Sequence, residues 1–319
     1  MKILCAVVGA ILALFTQAAI AEYPDHAIRL IVPYSAGGAA DTQARLVAVG
    51  LGARLGQPIV VENHPGASGT IGAAFVAHAS ADGYTLLYDA TAFAVNPLLY
   101  KSLPYDSKRD LRPISLISLT PNLLVVRTDS PYHGIADLTA AARSKPGRIT
   151  FGSPGQGTAQ HVAAALYAQG FGLKLVHVPY KGGAPALADL MGGQIDIMFS
   201  NMSASYPLVR GGKLRALAVS SKSRVPELPE VPTVAESGLP GYEVYEWNGM
   251  FAPAGVPDEI ARKVETAVQA TLRDPSVRSR LTALGAQPIG SSAQEFGKFV
   301  DHEMNRAKQI LNESGIKSE

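Results

Sequence analysis

Two short loops in this sequence combine glycine with small residues that carry hydroxyl groups. The first is Ser35-Ala36-Gly37-Gly38, and the second contains Ser153, Gly155, Gly157 and Thr158. Such small side chains leave backbone N–H groups uncovered, and a helical pattern follows each loop. The first N–H groups of a helix have no intrahelical partner and carry partial positive charge. Each loop therefore predicts an anion site, and an ordinary tight turn is the alternative.

Few charged residues accompany these loops. Asp41 lies in the first turn of the helix after the first loop, where it either fixes the loop by a hydrogen bond or offsets the helix dipole. His161 lies in the matching turn after the second loop, where a capping or supporting contact is favoured over catalysis. Lys181 is interpreted as a solvated surface lysine, and a ligand contact is the alternative. Since neither loop contains arginine, we expect amides and hydroxyls to hold the anion.

Sites of other kinds are disfavoured by the spacing of the residues they need. The second loop has Gln160 where a dinucleotide fingerprint needs its third glycine. Leu214 follows Gly212-Lys213, so a phosphate loop of the Walker type is excluded. No histidine has a second histidine or a cysteine at metal-binding spacing. We therefore expect neither a metal nor a cofactor.

Buried strands precede both loops, at 28–32 and 149–151, and strands alternate with helices along the chain. This alternation is typical of a parallel sheet covered by helices. Binding sites in such sheets lie at the carboxyl ends of the strands. Thr91 and Asn201 each follow the end of a further predicted strand, so both are predicted to line the site.

The strand–loop–helix pattern restarts near residue 122, and a strand at 216–219 returns the chain towards the first half. A chain of this length usually forms two domains or one large one. We predict a first domain formed by residues 22–121 and 222–319. The second domain is predicted to be an insertion of residues 122–221.

The first 21 residues are predicted to be a signal peptide. Lys2 precedes an apolar segment from Ile3 to Phe15, and Ala19-Ile20-Ala21 forms a cleavage pattern with the cut after Ala21. Cys5 is the only cysteine, so the mature chain has no disulfide. The formal net charge of +2 and the lack of a basic run argue against a nucleic-acid partner. Because of the predicted signal peptide, the mature protein is expected in the periplasm.

Several further motifs occur in a fixed order along nearly the whole mature chain. They are Ile31-Val32-Pro33-Tyr34, Val61-Glu62-Asn63, Asp82-Gly83-Tyr84, Val178-Pro179-Tyr180-Lys181-Gly182, Val231-Pro232-Thr233 and Phe251-Ala252-Pro253. Together with the two loops, they resemble the periplasmic solute-binding receptors of the tripartite tricarboxylate transporters, also called Bug proteins.

The resemblance implies an α/β fold of the two-domain periplasmic binding protein type, a flytrap that is type II-like. Each domain would be a mainly parallel sheet flanked by helices, with the ligand cleft between them. The protein would capture a small carboxylate, or a related small organic ligand, and deliver it to the membrane permease subunits. It would act without a cofactor, not as an enzyme, and as a monomer.

The resemblance also nominates residues on both sides of the cleft. One set comes from the first loop and the other from the second: Tyr34, Ser35, Gly37, Gly38 and Asp41, facing Ser153, Gly155, Gly157 and Thr158. Two positions differ from the family pattern. The family often has Phe where this chain has Tyr34, and it commonly has an acidic residue where this chain has Ser200-Asn201.

Two alternative functions remain open from the sequence. A periplasmic enzyme acting on a small carboxylate would need a nucleophile or a general base held by a neighbour. Asp41 and His161 are the candidates for that base, and neither belongs to a visible triad. A receptor that presents its ligand to a sensor kinase is the other alternative.

Overall fold

Three parallel strands form the centre of the first lobe. The structure is a computed structural model that describes residues 23–314, so the predicted signal peptide lies outside the described residues. Strand β1 (Ile28–Val32) lies between β2 (Ile59–Asn63) and β3 (Thr85–Ala90). Leu30 packs into the cluster on one face and Ile31 into the cluster on the other. This strand is therefore apolar throughout because both of its faces are buried.

Two long antiparallel strands extend this sheet and connect it to the rest of the molecule. Strand β4 (Leu111–Arg127) pairs through Pro121 with β9 (Tyr245–Pro253), which also pairs with β3. From Asn122 onwards β4 pairs instead with two strands of the second lobe. One continuous strand thus belongs to the sheets of both lobes, and the short β10 (Gln287–Pro288) joins its first part.

The second lobe repeats the strand order of the first. Strand β5 (Thr150–Ser153) lies between β6 (Val176–Pro179) and β7 (Ile197–Asn201), and both pairings are parallel. The last part of β4 adds antiparallel pairings with β7 and with β8 (Leu214–Val219). The predicted restart of the pattern near residue 122 matches this repeat.

Helices cover both sheets. In chain order they are α1 (Ala39–Leu55), α2 (Thr70–Ala77), α3 (Ala92–Leu99), α4 (Ile135–Ser144), α5 (Ala159–Gly170), α6 (Gly183–Met191), α7 (Met202–Arg210), α8 (Asp258–Arg273), α9 (Pro275–Ala283) and α10 (Ala293–Ser314), with a 3₁₀ turn at Ala67–Gly69. Across residues 23–314 none of these helices is both long enough and apolar enough to span a bilayer.

Two helix ends follow from the chemistry of their residues. Helix α1 stops at Gly56, whose φ of 75° is a left-handed conformation that glycine adopts without strain. Helix α10 begins with a capping box. The Ser292 N–H donates to Glu295 Oε2 at 2.8 Å, and the Glu295 N–H donates to Ser292 Oγ at 3.2 Å.

An irregular segment at 100–110 connects the first lobe's helix α3 to β4. Helix α3 continues to Leu99 with Pro97 inside it, and β4 begins at Leu111. Pro113 lies where the register between β4 and β9 shifts. A bulge tolerates proline because the missing N–H is not needed by the ladder there.

The segment between β8 and β9 packs with the second lobe. Val234, Tyr242 and Val244 join one of its apolar clusters, and Leu228 and Val231 join another. This segment was assigned to the first domain from the sequence, and its core contacts are with the other lobe.

Helix α10 contacts both lobes, although the sequence suggested that it packs on the first domain. Phe296 and Val300 are buried in a cluster of the first lobe. Further along, Ile310 packs against a cluster of the second lobe, and Arg306 Nη2 donates to the Glu243 carbonyl at 2.8 Å. The helix thus forms a second connection between the lobes, besides β4 and β9.

Candidate ligand-binding site

A cavity of about 30 Å³ lies between the two lobes, beyond the carboxyl ends of β1, β3, β5 and β7. Five helices present their N-terminal ends to it. The lining residues at these ends are Gly38, Ala39 and Ala40 of α1, Thr91 and Ala92 of α3, Thr158, Ala159 and Gln160 of α5, Gly183 of α6, and Asn201 of α7. The cavity therefore collects unpaired N–H groups and the positive ends of helix dipoles from both lobes.

The described residues that line this cavity include no lysine, arginine or histidine. Any attraction for an anion must therefore come from backbone amides, from hydroxyl groups and from the helix dipoles. The hydroxyl of Thr91 accepts a long hydrogen bond of 3.3 Å from the Trp247 N–H, so its hydrogen can still be donated. This arrangement suits a carboxylate, which accepts several hydrogen bonds on two oxygens.

Glu246, on β9, is a buried carboxyl group in the wall of the cavity, with 6% of the residue exposed. Gln160 Nε2 donates a short hydrogen bond to it and another of 2.9 Å to Asn122 Oδ1. Burial raises the pKa of Glu246 to about 7, although the hydrogen bond from Gln160 opposes the shift. Sequence reasoning missed this residue. Its signal was a charged side chain within a strand whose other residues are uncharged.

Asp89, at the end of β3, is a second buried carboxyl group near the cleft, and only 1% of it is exposed. The Tyr34 hydroxyl donates to its Oδ1 at 3.0 Å, and so does the Ala90 N–H at 2.7 Å. Burial raises the pKa of Asp89 to about 7, and the charge of Glu246 adds to the shift. Asp89 thereby holds the hydroxyl of Tyr34, whose side chain lines the cavity.

Asp41 holds the first loop rather than lining the cavity. Its carboxylate accepts from the Gly37 N–H at 2.9 Å, from Arg45 Nε at 2.9 Å and from Asn63 Nδ2 at 3.0 Å. Burial would raise its pKa, but these hydrogen bonds and the charge of Arg45 outweigh that effect and lower it. Of the two roles that the sequence left open, this geometry fits the hydrogen bond that fixes the loop.

Ser153 and Thr158 make local contacts in the second loop. Ser153 is fully buried, its Oγ lies 2.6 Å from His177 Nε2, and it donates to the Gly155 carbonyl at 2.9 Å. The Thr158 hydroxyl donates to the same carbonyl at 2.8 Å and accepts from the His161 N–H. Thr158 is thus the N-cap of α5 as well as a lining residue of the cavity.

The His161 and His177 rings stack within the second lobe, with their centroids 3.9 Å apart. Burial lowers the pKa of His161 to about 3 and that of His177 to about 4. Both rings are therefore neutral near pH 7. The Gly157 N–H donates to His161 Nδ1 at 3.1 Å, a supporting contact for the loop.

The remaining glycines of the second loop lie against the first lobe. A methyl group added at Gly155 would lie 2.7 Å from Ser68 Oγ. One added at Gly157, whose φ is +72°, would lie 2.9 Å from Val95 Cγ1. These glycines let the two lobes approach closely, because a larger residue would push them apart.

The predicted site residues thus separate into two groups. Those that line the cavity are Tyr34, Gly38, Thr91, Thr158 and Asn201. Those outside its lining, which shape the loops or the contact between the lobes, are Ser35, Gly37, Asp41, Ser153, Gly155 and Gly157. Asn201 caps α7 by accepting from the Ser203 N–H at 2.9 Å, while its buried Nδ2 has no hydrogen-bond partner among the described residues. Lys181 lines a separate groove that also includes Tyr100.

Comparison with known proteins identifies the family. A family model described as "Tripartite tricarboxylate transporter family receptor" matches residues 43–316. A protein of Pseudomonas sp. strain P51, described as "UPF0065 protein in tcbD-tcbE intergenic region", is 37% identical over 292 residues. The match covers 91% of this chain and 87% of the relative.

Solved structures give the same result. Rpa4515 of R. palustris with adipate has a TM-score of 0.91 and 37% identity, and the match covers 93% of this chain and 100% of that one. The periplasmic binding protein BugD has a TM-score of 0.89 and 35% identity over 93% and 100% of the two chains. MatC from Rhodopseudomonas palustris with bound malate has a TM-score of 0.84 and 33% identity over 91% and 100%.

These neighbours confirm the predicted α/β fold of the periplasmic binding protein type. The homologues are solute-binding receptors of the periplasm rather than enzymes. The chain therefore belongs to the receptor family of the tripartite tricarboxylate transporters, which is also the family of the Bug proteins.

Proposed function

We propose that this protein captures a small carboxylate between its two lobes and delivers it to the membrane permease subunits of a tripartite tricarboxylate transporter. The observation that carries the proposal is the cavity at which five helix N-termini from both lobes meet. Relatives of the same fold were solved with adipate and with malate. The protein would reach the periplasm through an N-terminal signal peptide cleaved after Ala21.

The ligand would be held mainly by N–H groups at the starts of α1, α3 and α5 and by the hydroxyl group of Thr91. Tyr34 would line the site without donating to the ligand, because its hydroxyl already donates to Asp89. The lobes must separate to admit it, because the cavity of about 30 Å³ holds little more than a water molecule or two. Closure around the carboxylate would expel water and strengthen each hydrogen bond. The ligand thereby favours the closed form, as the flytrap mechanism requires.

The Ser153–His177 contact is the observation that most favours the enzyme alternative. Its distance of 2.6 Å suits a nucleophile and its general base. However, Ser153 is fully buried, and neither residue lines the cavity. The lowered pKa of His177, about 4, also makes its imidazole a weak base. Asp41 is a poor base too, since Arg45, Gly37 and Asn63 occupy its carboxylate. Binding without turnover therefore fits the site better.

Calorimetry with adipate and with its neutral diamide tests the proposed binding. We expect saturable binding of a carboxylate, no binding of the diamide, and recovery of the ligand chemically unchanged. A carboxylate at 100 times its Kd should stabilise the protein by about 2.7 kcal/mol. Failure of adipate and of a panel of mono-, di- and tricarboxylates would refute the proposal.

Uptake measurements separate transport from presentation to a sensor kinase. Cells that express the protein with the membrane subunits should accumulate the bound carboxylate, and cells that lack those subunits should not. If uptake is unchanged without the subunits while a kinase responds to the ligand, the sensor alternative replaces the proposal.

A further inference from the structure

Among the described residues that line the cavity, Glu246 is the one with a carboxyl group. It lies on β9, a strand that pairs with both β3 and β4 in the first lobe. Its hydrogen-bond partner Gln160 comes from α5 of the second lobe. Glu246 is therefore placed where the lobes meet around the ligand.

The groups that face Glu246 provide hydrogen bonds but no positive side chain. The amides of Gln160, Asn201 and Asn248 act on its carboxyl group. The charge of Glu246 acts on three ionisable groups. They are Asp89, Tyr34 and Tyr88, which is on the same strand as Asp89. A buried carboxylate without a cation is unfavourable, so this environment favours the neutral acid.

A bound carboxylate strengthens this preference. Glu246 and the helix N-termini line the same cavity, so a ligand carboxylate held by those N–H groups would lie close to Glu246. Two carboxylates that share one site repel each other, and one of them then holds a proton. A neutral Glu246 can instead donate a hydrogen bond, which is the role that an anionic ligand needs from it.

Building on the proposed function, we propose that Glu246 recognises the ligand as a neutral carboxylic acid that donates its proton in a hydrogen bond to a carboxylate oxygen of the ligand. The bound state then contains one proton shared between the two carboxyl groups. When free Glu246 is ionised, that proton must be taken up from solvent as the ligand binds. The protein is thus a receptor for a carboxylate together with a proton.

The direction of the pH dependence follows from the free protein. Because the pKa of Glu246 is about 7, the residue is already protonated at lower pH and binding takes up no proton there. Above pH 7 each ligand bound requires one proton, so affinity should fall up to tenfold for each pH unit. A simple carboxylate such as adipate stays ionised throughout pH 7–9, so its own titration does not contribute.

Calorimetry of adipate binding between pH 6 and 9 tests this proposal, with two buffers of different ionisation enthalpy at each pH. The wild-type protein should take up about one proton per adipate at pH 9 and about none at pH 6. Glu246→Gln keeps a donor of similar shape without a titrating proton. Its affinity should be nearly independent of pH, with proton uptake lost. Asp89→Asn tests the other buried carboxyl group near the cleft. Asp89 does not line the cavity, so this variant should retain the proton uptake, whatever its effect on affinity through Tyr34.

The outcomes separate this inference from the proposed function. Equal affinity at pH 6 and pH 9 without proton uptake in the wild-type protein would overturn the role of Glu246 and leave the receptor function intact. Affinity that rises with pH would show that binding does not require a protonated Glu246, which also overturns its proposed role. Loss of proton uptake in Asp89→Asn, with uptake retained in Glu246→Gln, would move the role to Asp89. Failure to bind any carboxylate at any pH would refute the proposed function itself.

Discussion

At the scale of single residues, acidic side chains near the cleft have different roles because their partners differ. Asp41 accepts from three hydrogen-bond donors, one of which is the arginine Arg45, so it stays ionised and holds a loop. Asp89 positions the hydroxyl of Tyr34. Glu246 has amide partners and no cation, which leaves it free to hold a proton. The environment of each carboxyl group, and not its residue type, therefore decides what it can do in the cleft.

Asp41→Asn should destabilise the protein by about 1–3 kcal/mol at pH 7. The substitution replaces an oxygen that accepts hydrogen bonds by an NH₂ group, which would face the donors that now bind the carboxylate. The pKa of Asp41 is lowered in the folded protein, so its contribution is complete above the pKa of the unfolded chain. That contribution is lost as the pH falls through the lowered pKa. The difference between variant and wild type should therefore shrink in acid, as urea unfolding at several pH values can show.

Asp129→Asn is the control for this change. Asp129 forms an exposed ion pair with Arg127 at 3.4 Å, and such pairs contribute little. A loss of stability in Asp41→Asn no larger than that of Asp129→Asn would contradict the role of Asp41 in fixing the loop.

The residue types of the cleft could be predicted only in part. Gly38 and Thr158, which line the cavity, lie in glycine-rich loops before helices, and such loops leave a local pattern in the sequence. Tyr34 was nominated only by the family resemblance. Glu246 leaves no such pattern, since its position depends on the pairing of β9 with β3 and β4, which bring together residues far apart in the chain. Local spacing also could not show that Ser153 turns towards His177 and away from the cavity.

At the scale of elements, the site follows from strand direction. Strands β1, β3, β5 and β7 end at the cleft, and the helix that follows each one begins there. The alternation of strands and helices was legible in the sequence, so this convergence could be predicted. The continuity of β4 could not be predicted. Residues 111–121 and 122–127 have similar apolar patterns, but the strands with which they pair lie in different lobes.

Gly297→Ala should stabilise the protein by about 0.5–1 kcal/mol, because glycine inside a helix loses more conformational freedom on folding than alanine. Gly297 lies inside α10, and a methyl group there would meet nothing within 4 Å. Guanidinium unfolding measures the change. Since α10 contacts both lobes, the gain should appear in the unfolding of the whole protein.

Gly290→Ala, at a position just before α10, is the matched control for Gly297→Ala. Its φ is +74°, and a methyl group would lie 3.3 Å from Leu272 Cβ, so alanine should be destabilising there. A loss of stability in Gly297→Ala, or equal effects in the two variants, would show that conformational entropy in α10 does not govern the result.

At the scale of the whole molecule, glycines of the second lobe lie close to residues of the first lobe around the cleft. Gly155 faces Ser68, Gly157 faces Val95, and Gly182 faces Ser35. Ser35 Oγ is buried and finds no hydrogen-bond partner within residues 23–314. Gly155 and Gly157 were suggested from the sequence as anion-binding residues, but they lie outside the cavity lining, and their lack of a side chain permits this close approach of the lobes.

Gly182→Ala should hinder closure of the lobes. The backbone of Gly182 is extended, with a φ of 161°, so alanine is allowed there in the open protein. In the closed protein its methyl group would lie 2.8 Å from the Ser35 N and even closer to the hydroxyl, so the lobes must stay further apart. We expect at least tenfold weaker adipate binding and a larger radius of gyration by X-ray scattering at saturating adipate.

Gly134→Ala provides the comparison that isolates this contact. Gly134 also has an extended backbone, with a φ of −161°, and a methyl group there would meet nothing within 4 Å. This variant should therefore compact with adipate as the wild-type protein does. If Gly182→Ala also compacts fully and binds adipate with unchanged affinity, then the ligand-bound form does not bring Gly182 against Ser35. The closed arrangement of the two lobes would then differ from the one described, although the carboxylate site itself would remain.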